Sequence, residues 1–229
     1  MLFRSGVPLI YPAITILDAP DPAKLDALID RLHEFDIAIF ISPTAVAKGM
    51  ARVQARRSLP PNLKFATIGP GGVRALAKLG ITDVIHPEGR PDSEALLATD
   101  FMRGVKGKRI VIFRGAGGRD LLGDTLTTRG ANIEYAECYR RGKPVLDAGA
   151  LNHAARERRI AAVVFTSSEG VRNFFEGLDD EGRAWLRATT VVVPHPRIAR
   201  ATQELGCQRV VTCEAGDDAL ARTLADLPE

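Results

Sequence analysis

The sequence predicts an α/β protein: two similar doubly wound, flavodoxin-like parallel-sheet domains joined by a two-stranded hinge, one domain inserted in the other. Three observations predict it. Short β-rich runs alternate with helical patterns along the whole chain, which is the signature of parallel strands joined by crossover helices. The chain then repeats itself at an interval of about 125 residues, too long for a solenoid repeat and suited to duplication of a domain. Finally, the part that the second copy lacks has a partial counterpart at the opposite end of the chain. The repeat is read directly. Ala38-Ile39-Phe40-Ile41-Ser42-Pro43-Thr44-Ala45-Val46 is answered by Val163-Val164-Phe165-Thr166-Ser167-Ser168-Glu169-Gly170-Val171. Arg74-Ala75, Leu79-Gly80 and Val84-Ile85 recur as Arg200-Ala201, Leu205-Gly206 and Val210-Val211. Two such domains facing each other are expected to leave a ligand cleft between them.

Taken in order, the expected strands are Leu9 to Tyr11, Ile37 to Ile41, Lys64 to Ile68, Asp83 to Ile85, Arg109 to Phe113 and Asn132 to Cys138. Ala161 to Phe165, Thr189 to Val193 and Arg209 to Thr212 follow, each apolar and rich in β-branched residues. The first helix runs from Pro22 to Glu34, with Leu25, Leu28, Ile29 and Leu32 on one face. Further helical patterns span Gly72 to Leu79, Ser93 to Met102, Asp120 to Arg129, Glu169 to Glu176, Arg197 to Leu205 and Asp218 to Leu227.

The first copy is a complete small sheet, placed at residues 18–139. The split domain then comprises residues 1–17 and 140–229, with hinge crossings near Ile14 to Pro20 and near Tyr139 to Val145. The second copy lacks the closing strand-helix-strand that the first carries at Arg109 to Tyr139. Part of that piece reappears at the N-terminus, where Gly6-Val7-Pro8-Leu9-Ile10-Tyr11-Pro12 resembles Gly130-Ala131-Asn132-Ile133-Glu134-Tyr135-Ala136. The N-terminal run is therefore expected to add a strand to the C-terminal domain. One strand and most of a helix are still unaccounted for, and that strand would be interior to the sheet. The native protein is accordingly expected to begin roughly 15–20 residues upstream of Met1, because losing an interior strand would cost more than the whole stability of a domain; a degenerate domain that closes without the strand is the alternative.

Composition excludes several classes. The 229 residues carry a net charge of +3, too small to argue for nucleic acid or a membrane surface as partner. The basic runs Arg140-Arg141-Gly142-Lys143 and Arg156-Glu157-Arg158-Arg159 have no interleaved aromatics and read as solvated surface. Cys138, Cys207 and Cys213 are odd in number and strand-like in context, pointing to a reduced compartment. With no apolar run of membrane-spanning length and no signal-peptide core at Met1-Leu2-Phe3-Arg4, a soluble cytoplasmic monomer is expected.

Candidate chemistry gathers where strands give way to helices. Ser42-Pro43 and Ser167-Ser168 follow apolar strands, each serine suited to cap a helix. Ile68-Gly69-Pro70-Gly71-Gly72, Val193-Pro194-His195-Pro196-Arg197 and Phe113-Arg114-Gly115-Ala116-Gly117-Gly118-Arg119-Asp120 open others. In a doubly wound domain these turns share the carboxyl edge of the sheet, and their helix N-termini suit anions. The glycine-rich turn fits neither G-x-G-x-x-G nor a Walker loop, so a nucleotide cofactor is not expected. Arg114 and Arg119 beside exposed amides suit carboxylates, although Arg119 on a bare helix surface is equally readable. His33, His86, His153 and His195 lack ligand spacing, and no G-x-S-x-G elbow or acid–base dyad stands out. No metal and no cofactor are expected.

These residues together resemble the uroporphyrinogen-III synthase family. The resemblance rests on Phe40-Ile41-Ser42-Pro43, Gly69-Pro70, Arg114-Gly115-Ala116-Gly117-Gly118-Arg119-Asp120-Leu121-Leu122 and Cys138-Tyr139-Arg140 in the first copy. In the second it rests on Phe165-Thr166-Ser167 and Pro194-His195-Pro196-Arg197-Ile198-Ala199. It spans essentially the whole chain.

The resemblance implies a cofactor-free lyase that takes hydroxymethylbilane, a linear tetrapyrrole with eight carboxylate arms. The enzyme removes water and closes the ring while inverting the last pyrrole. It implies that Tyr139 assists departure of hydroxide as an acid, although a packing aromatic reads equally well there. Ser42, Gly71, Gly72, Ser167 and Arg197 match turns facing the substrate, and Arg114, Gly115, Gly118 and Arg119 belong to the same expected binding set. Ile41 stands where the family usually has threonine. A non-catalytic two-lobed binder of an anionic metabolite is the competing reading.

Overall fold

The computed structural model describes residues 7–89, 91–145, 148–157, 159–214 and 216–227. Gly6, the Met1-Leu2-Phe3-Arg4 stretch and Arg158 lie outside the described residues. The chain divides into two compact units, one of residues 16–141 and one formed by the segment up to Thr15 with everything from Gly142 onward.

In the inserted unit the strands are β1 (Thr15–Asp18), β2 (Ile37–Phe40), β3 (Lys64–Thr67), β4 (Val84–Ile85), β5 (Arg109–Gly115) and β6 (Asn132–Gly142). They form one sheet in the order β1-β6-β5-β2-β3-β4, and the ladders joining β6, β5, β2, β3 and β4 are parallel. The helices are α1 (Pro22–Asp30), α2 (Pro43–Gln54), α3 (Pro70–Ala77), α4 (Ser93–Ala98), α5 (Asp100–Arg103) and α6 (Leu121–Thr128). The chain builds outward from β2 through β3 and β4, then returns to lay β5 and β6 on the other flank. The strand order therefore reverses between β2 and β5, and ligands in such sheets collect outside the carboxyl ends at that reversal.

Burial explains why these runs are strands. All four residues of β2 are buried, as expected where both faces of a parallel sheet are covered. Ala38 and Phe40 pack on one face with Val111, Phe113, Leu25, Val46 and Met50, while Ile37 and Ile39 pack on the other with Ile110, Ile112, Leu96 and Leu126. Phe40 and Phe113 are direct partners across the β2–β5 ladder, and their rings stack 4.5 Å apart. Two expected helices are interrupted for local reasons. Pro22–Asp30 gives way to a separate tight turn at Leu32–Glu34, closed by bonds from Glu34 N to Arg31 O and Phe35 N to Leu32 O. The Ser93-to-Met102 pattern breaks at Thr99, whose ψ of 146° is extended and whose Oγ1 donates to Leu96 O at 2.7 Å.

In the split unit β7 (Ala162–Val164), β8 (Thr190–Val193) and β9 (Arg209–Thr212) form a parallel sheet in the order β7-β8-β9. Its helices are α7 (Ala148–Arg156), α8 (Ser168–Gly177), α9 (Asp180–Ala188), α10 (Pro196–Glu204) and α11 (Asp217–Ala225). Phe165, Phe174, Leu186, Val191, Val193 and Ile198 make its core. Neither α7 nor α9 is among the expected elements. Asp179 caps α9 by accepting from Gly182 N at 2.8 Å, and buried Leu186 anchors it.

The expected strand Leu9 to Tyr11 is not one. Residues 7–14 carry no strand, and Val7, Leu9 and Ile10 are exposed. Pro8 and Pro12 deprive the segment of two N–H donors, so it is a poor ladder partner. It is held to the split unit by side chains instead. Tyr11 meets Phe174 edge-on at 6.4 Å, and Asn173 Nδ2 donates to Ala13 O at 3.1 Å. The first strand comes later, at Thr15–Asp18, and lies beside β6 in the other unit's sheet.

Candidate active site

Four adjacent strands of the inserted unit deliver residues to its carboxyl edge. After β2, Ile41 N still donates to Phe113 O, and Ser42 then stays extended, with φ −163° and ψ 161°. Its Oγ accepts from Ala45 N at 3.0 Å, capping α2, and Pro43 occupies the first helical position, where no N–H is needed. After β3, Gly69 opens α3. A Cβ on Gly71 would lie 3.0 Å from Pro43 Cγ, so the openings of α2 and α3 touch. Gly72 sits below them, buried: a Cβ there would come within 2.0 Å of Thr67 Oγ1, which donates to Phe40 O.

The end of β5 meets the end of β6 through an irregularity. Arg114 pairs with Glu137 but Gly115 pairs with Tyr139, so β6 carries one extra residue between these partners. Such a bulge re-aims the side chains beyond it. Tyr139 accordingly packs in the same core cluster as Ala136 and Cys138, although strict alternation would send it to the opposite face. The absence of a side chain at Gly115 makes room for the ring, since a Cβ there would lie 2.6 Å from Tyr139 Cε2. Ala116 N donates to Tyr139 O at 2.8 Å and fixes the backbone. Tyr139 is 3% exposed, and its hydroxyl lies 3.3 Å from Ser42 Oγ. Ser42, Gly71, Gly115 and Tyr139 thus converge at the strand-order reversal.

The glycine turn beyond β5 differs from expectation at Arg114. This guanidinium is buried, not presented to solvent. It donates to Asp120 Oδ1 at 2.8 Å, to Gly118 O, and more distantly to Gly115 O, and it lies 4.6 Å above the Tyr135 ring. Gly118 leaves the space it occupies, for a Cβ there would be 3.2 Å from Nη2. Arg119 is the reverse: 73% exposed, with a 3.4 Å ion pair to Glu94. Arg114, Arg119, Ser93 and Tyr135 border a small hollow of about 140 Å³ floored by Ile41, Ile68, Ile112 and Leu122, on the face opposite Tyr139. Burial raises the Tyr135 hydroxyl above its ordinary value, and burial pushes the Cys138 thiol up to about 12, leaving it inert.

In the split unit, Ser167 repeats the Ser42 arrangement: it is extended and its Oγ accepts from Gly170 N at 2.9 Å, capping α8. Arg197 lies on the first turn of α10 with an exposed side chain. His195 caps that helix by accepting from Arg197 N at its Nδ1, 3.0 Å away, which gives the turn histidine a structural role. The basic runs are partly ion-paired surface, with Arg156 on Glu181, Lys143 on Glu176 and Arg159 on Glu157.

Tyr135 and Thr67, which shape these turns, carry no motif signal, and neither does the role of Asp120. A buried arginine needs a partner, and Asp120 within the same turn is the signal that could have revealed it. Among the described residues no cluster of histidine, cysteine, aspartate or glutamate could hold a metal ion. The arrangement offers a phenol and a hydroxyl at a helix N-terminus, suited to moving one proton and stabilising negative charge.

Comparisons with known proteins point in one direction. A family model described as "Uroporphyrinogen-III synthase HemD" matches residues 4–221. The chain is 32% identical over 217 residues to the uroporphyrinogen-III synthase of Escherichia coli (strain K12), covering 93% of this chain and 88% of that one. It is 35% identical over 207 residues to that of Salmonella typhimurium, covering 88% and 84%. Solved structures of similar fold include a mutant uroporphyrinogen III synthase of the extremely thermophilic bacterium Thermus thermophilus, with a TM-score of 0.57 at 20% identity over 95% of this chain and 88% of that one. Another is the uroporphyrinogen-III synthetase of Helicobacter pylori 26695, with a TM-score of 0.60 at 13% identity over 92% and 90%.

Proposed function

The chain belongs to the uroporphyrinogen-III synthase family, and on that footing we propose that it converts hydroxymethylbilane into uroporphyrinogen III, losing water and inverting the last pyrrole ring. In reaction class this is a cyclising carbon–oxygen lyase that needs no cofactor. The observation that carries the reading is the contact of Tyr139 Oη with Ser42 Oγ, 3.3 Å apart at the strand-order reversal.

The carbon–oxygen bond of the substrate's hydroxymethyl group breaks, and its electron pair leaves with oxygen. The adjacent pyrrole nitrogen feeds electrons into the deficient carbon. Tyr139 donates its phenolic proton to the departing oxygen, so that water leaves rather than hydroxide. The phenolate left behind faces the Ser42 hydroxyl, and Ser42 caps the amide-rich start of α2, where negative charge is favoured. The last pyrrole attacks the deficient carbon through its substituted carbon, giving a spiro intermediate. The older bond from that substituted carbon to the neighbouring methylene then breaks, with the third pyrrole's nitrogen feeding electrons to the released methylene. The free α-carbon of the turned ring closes onto that methylene, and the proton this carbon loses as its ring regains aromaticity returns to the phenolate. Protons and electrons balance with water as the only loss.

The remaining work is positioning. Openings of α2 and α3 at Ser42 and Gly71, the Gly115–Arg119 turn, and in the split unit the turns at Ser167 and Arg197, take the substrate's carboxylate arms. Holding a flexible chain in a reactive geometry supplies several kcal/mol without a dedicated nucleophile.

To test this, the protein is offered hydroxymethylbilane, and the products are oxidised and separated as porphyrin isomers. Isomer III is the expected product. Isomer I alone, at the rate of the unaided reaction, rejects the assignment and favours a non-catalytic binder.

A further inference from the structure

We propose that Arg114 is a positioning residue for Tyr139 and not a ligand for substrate carboxylates. The inference rests on the cyclase reading for its activity arm only.

The Arg114 side chain is 6% exposed, and a guanidinium at that depth needs its donors satisfied by fixed partners. The acceptors it reaches belong to its own turn: Asp120 at 2.8 Å, Gly118 O, and Gly115 O at 3.4 Å. The Tyr135 ring lies 4.6 Å below it, and Gly118 packs against it above. Nε, Nη1 and Nη2 are thus each engaged within the turn, so although the side chain borders the small hollow, its nitrogens already serve fixed acceptors. Arg119, 73% exposed and weakly paired, is the cation of this turn that remains available.

These bonds have a second consequence. They pull residues 115–120 into one curve, and that curve grips Tyr139 at two points. Ala116 N donates to Tyr139 O at 2.8 Å, and the bare Cα of Gly115 lies against the phenol ring. The carbonyl of Arg114 also accepts from Cys138 Sγ at 3.4 Å, tying the turn to the residue before Tyr139. A guanidinium bridging Gly115, Gly118 and Asp120 therefore sets where the phenol stands against Ser42. Its rigid planar fork holds a carboxylate and a carbonyl in fixed directions, whereas a lysine ammonium is a rotatable point charge.

The test uses Arg114→Gln and Asp120→Asn in the full chain. Asp120 is 63% exposed on its side chain, so the second variant keeps the core even if the first does not fold. Expected is a kcat lowered about ten- to hundredfold in Arg114→Gln, a smaller fall in Asp120→Asn, and KM within about twofold of the parent in both. A double variant no worse than Arg114→Gln shows that the two act as one unit. A raised KM at unchanged kcat in Arg114→Gln, or a lowered KM in Asp120→Asn, overturns the proposal in favour of a carboxylate ligand. A second readout is independent of turnover. The ¹³Cζ resonance of Tyr139, assigned by its loss in Tyr139→Phe, shifts in Asp120→Asn if the turn positions the phenol. An unmoved resonance defeats the inference even where isomer III is made. A parent protein yielding isomer I alone defeats the cyclase reading while the resonance still decides this one.

Discussion

The hydroxyl of Tyr139 lies 3.3 Å from Oγ of Ser42, although the two residues are 97 positions apart. One ends β6 and the other follows β2, with β5 between them, so only the parallel order β6-β5-β2 brings them together. Ser42 already accepts from Ala45 N, which leaves its own proton free to serve Tyr139.

Tyr139→Phe keeps the ring that packs against Gly115 and removes the hydroxyl proposed as the acid. Formation of isomer III is expected to fall about a hundredfold with thermal stability nearly unchanged. Turnover equal to the parent's would remove Tyr139 from the mechanism and leave it as a packing aromatic.

Gly115→Ala places a methyl 2.6 Å from Tyr139 Cε2, and the phenol must give way. Overpacking of this kind costs about 1–3 kcal/mol, visible as a lowered urea midpoint, and activity should fall with it. Parent-like turnover together with parent-like stability would show that the ring position is not critical.

Ser167→Asp separates capping from substrate contact. Aspartate caps helices as well as serine does, so the melting temperature should hold. A carboxylate placed at that turn would repel an anionic arm, and KM is expected to rise about tenfold. An unchanged KM assigns Ser167 to α8 alone.

The Asp36 carboxyl is held below its ordinary value, first by the backbone N–H of Arg109 at 2.8 Å and then by the Lys108 ammonium at 3.0 Å. A depressed folded-state pKa adds stability above the unfolded value of about 4, and that stability is lost as pH falls through the lower folded value. Asp36→Asn should therefore lose less stability than the parent between about pH 5 and pH 2, compared through urea midpoints. Parallel losses would mean that other carboxylates carry the acid sensitivity.

Much of the fold was legible from the chain. The runs at Ile37, Lys64, Arg109, Thr190 and Arg209 are strands within one or two residues of expectation, because they are rich in β-branched and aromatic residues, buried in all but the last. The elements missed depended on neighbours. Leu9 to Tyr11 looks like a strand in composition, yet Pro8 and Pro12 remove N–H donors that a ladder would need, and the segment stays outside any sheet. Thr15–Asp18 looks like a connection, yet β6 supplies it with a partner.

The site divides along the same line. Sequence alone determined which residue types end each strand: serine, glycine and arginine at helix openings, with the capping of α2 and α8 following from local geometry. Tertiary structure alone decided what those residues face. The extra residue in β6 turned Tyr139 toward Ser42, and burial joined Arg114 to Asp120 and Gly118 rather than to solvent. The physical reason is one of range. Caps and turns are set by bonds across three or four residues, whereas a side chain's partner across a sheet depends on strand order and register, which emerge only when distant segments pack.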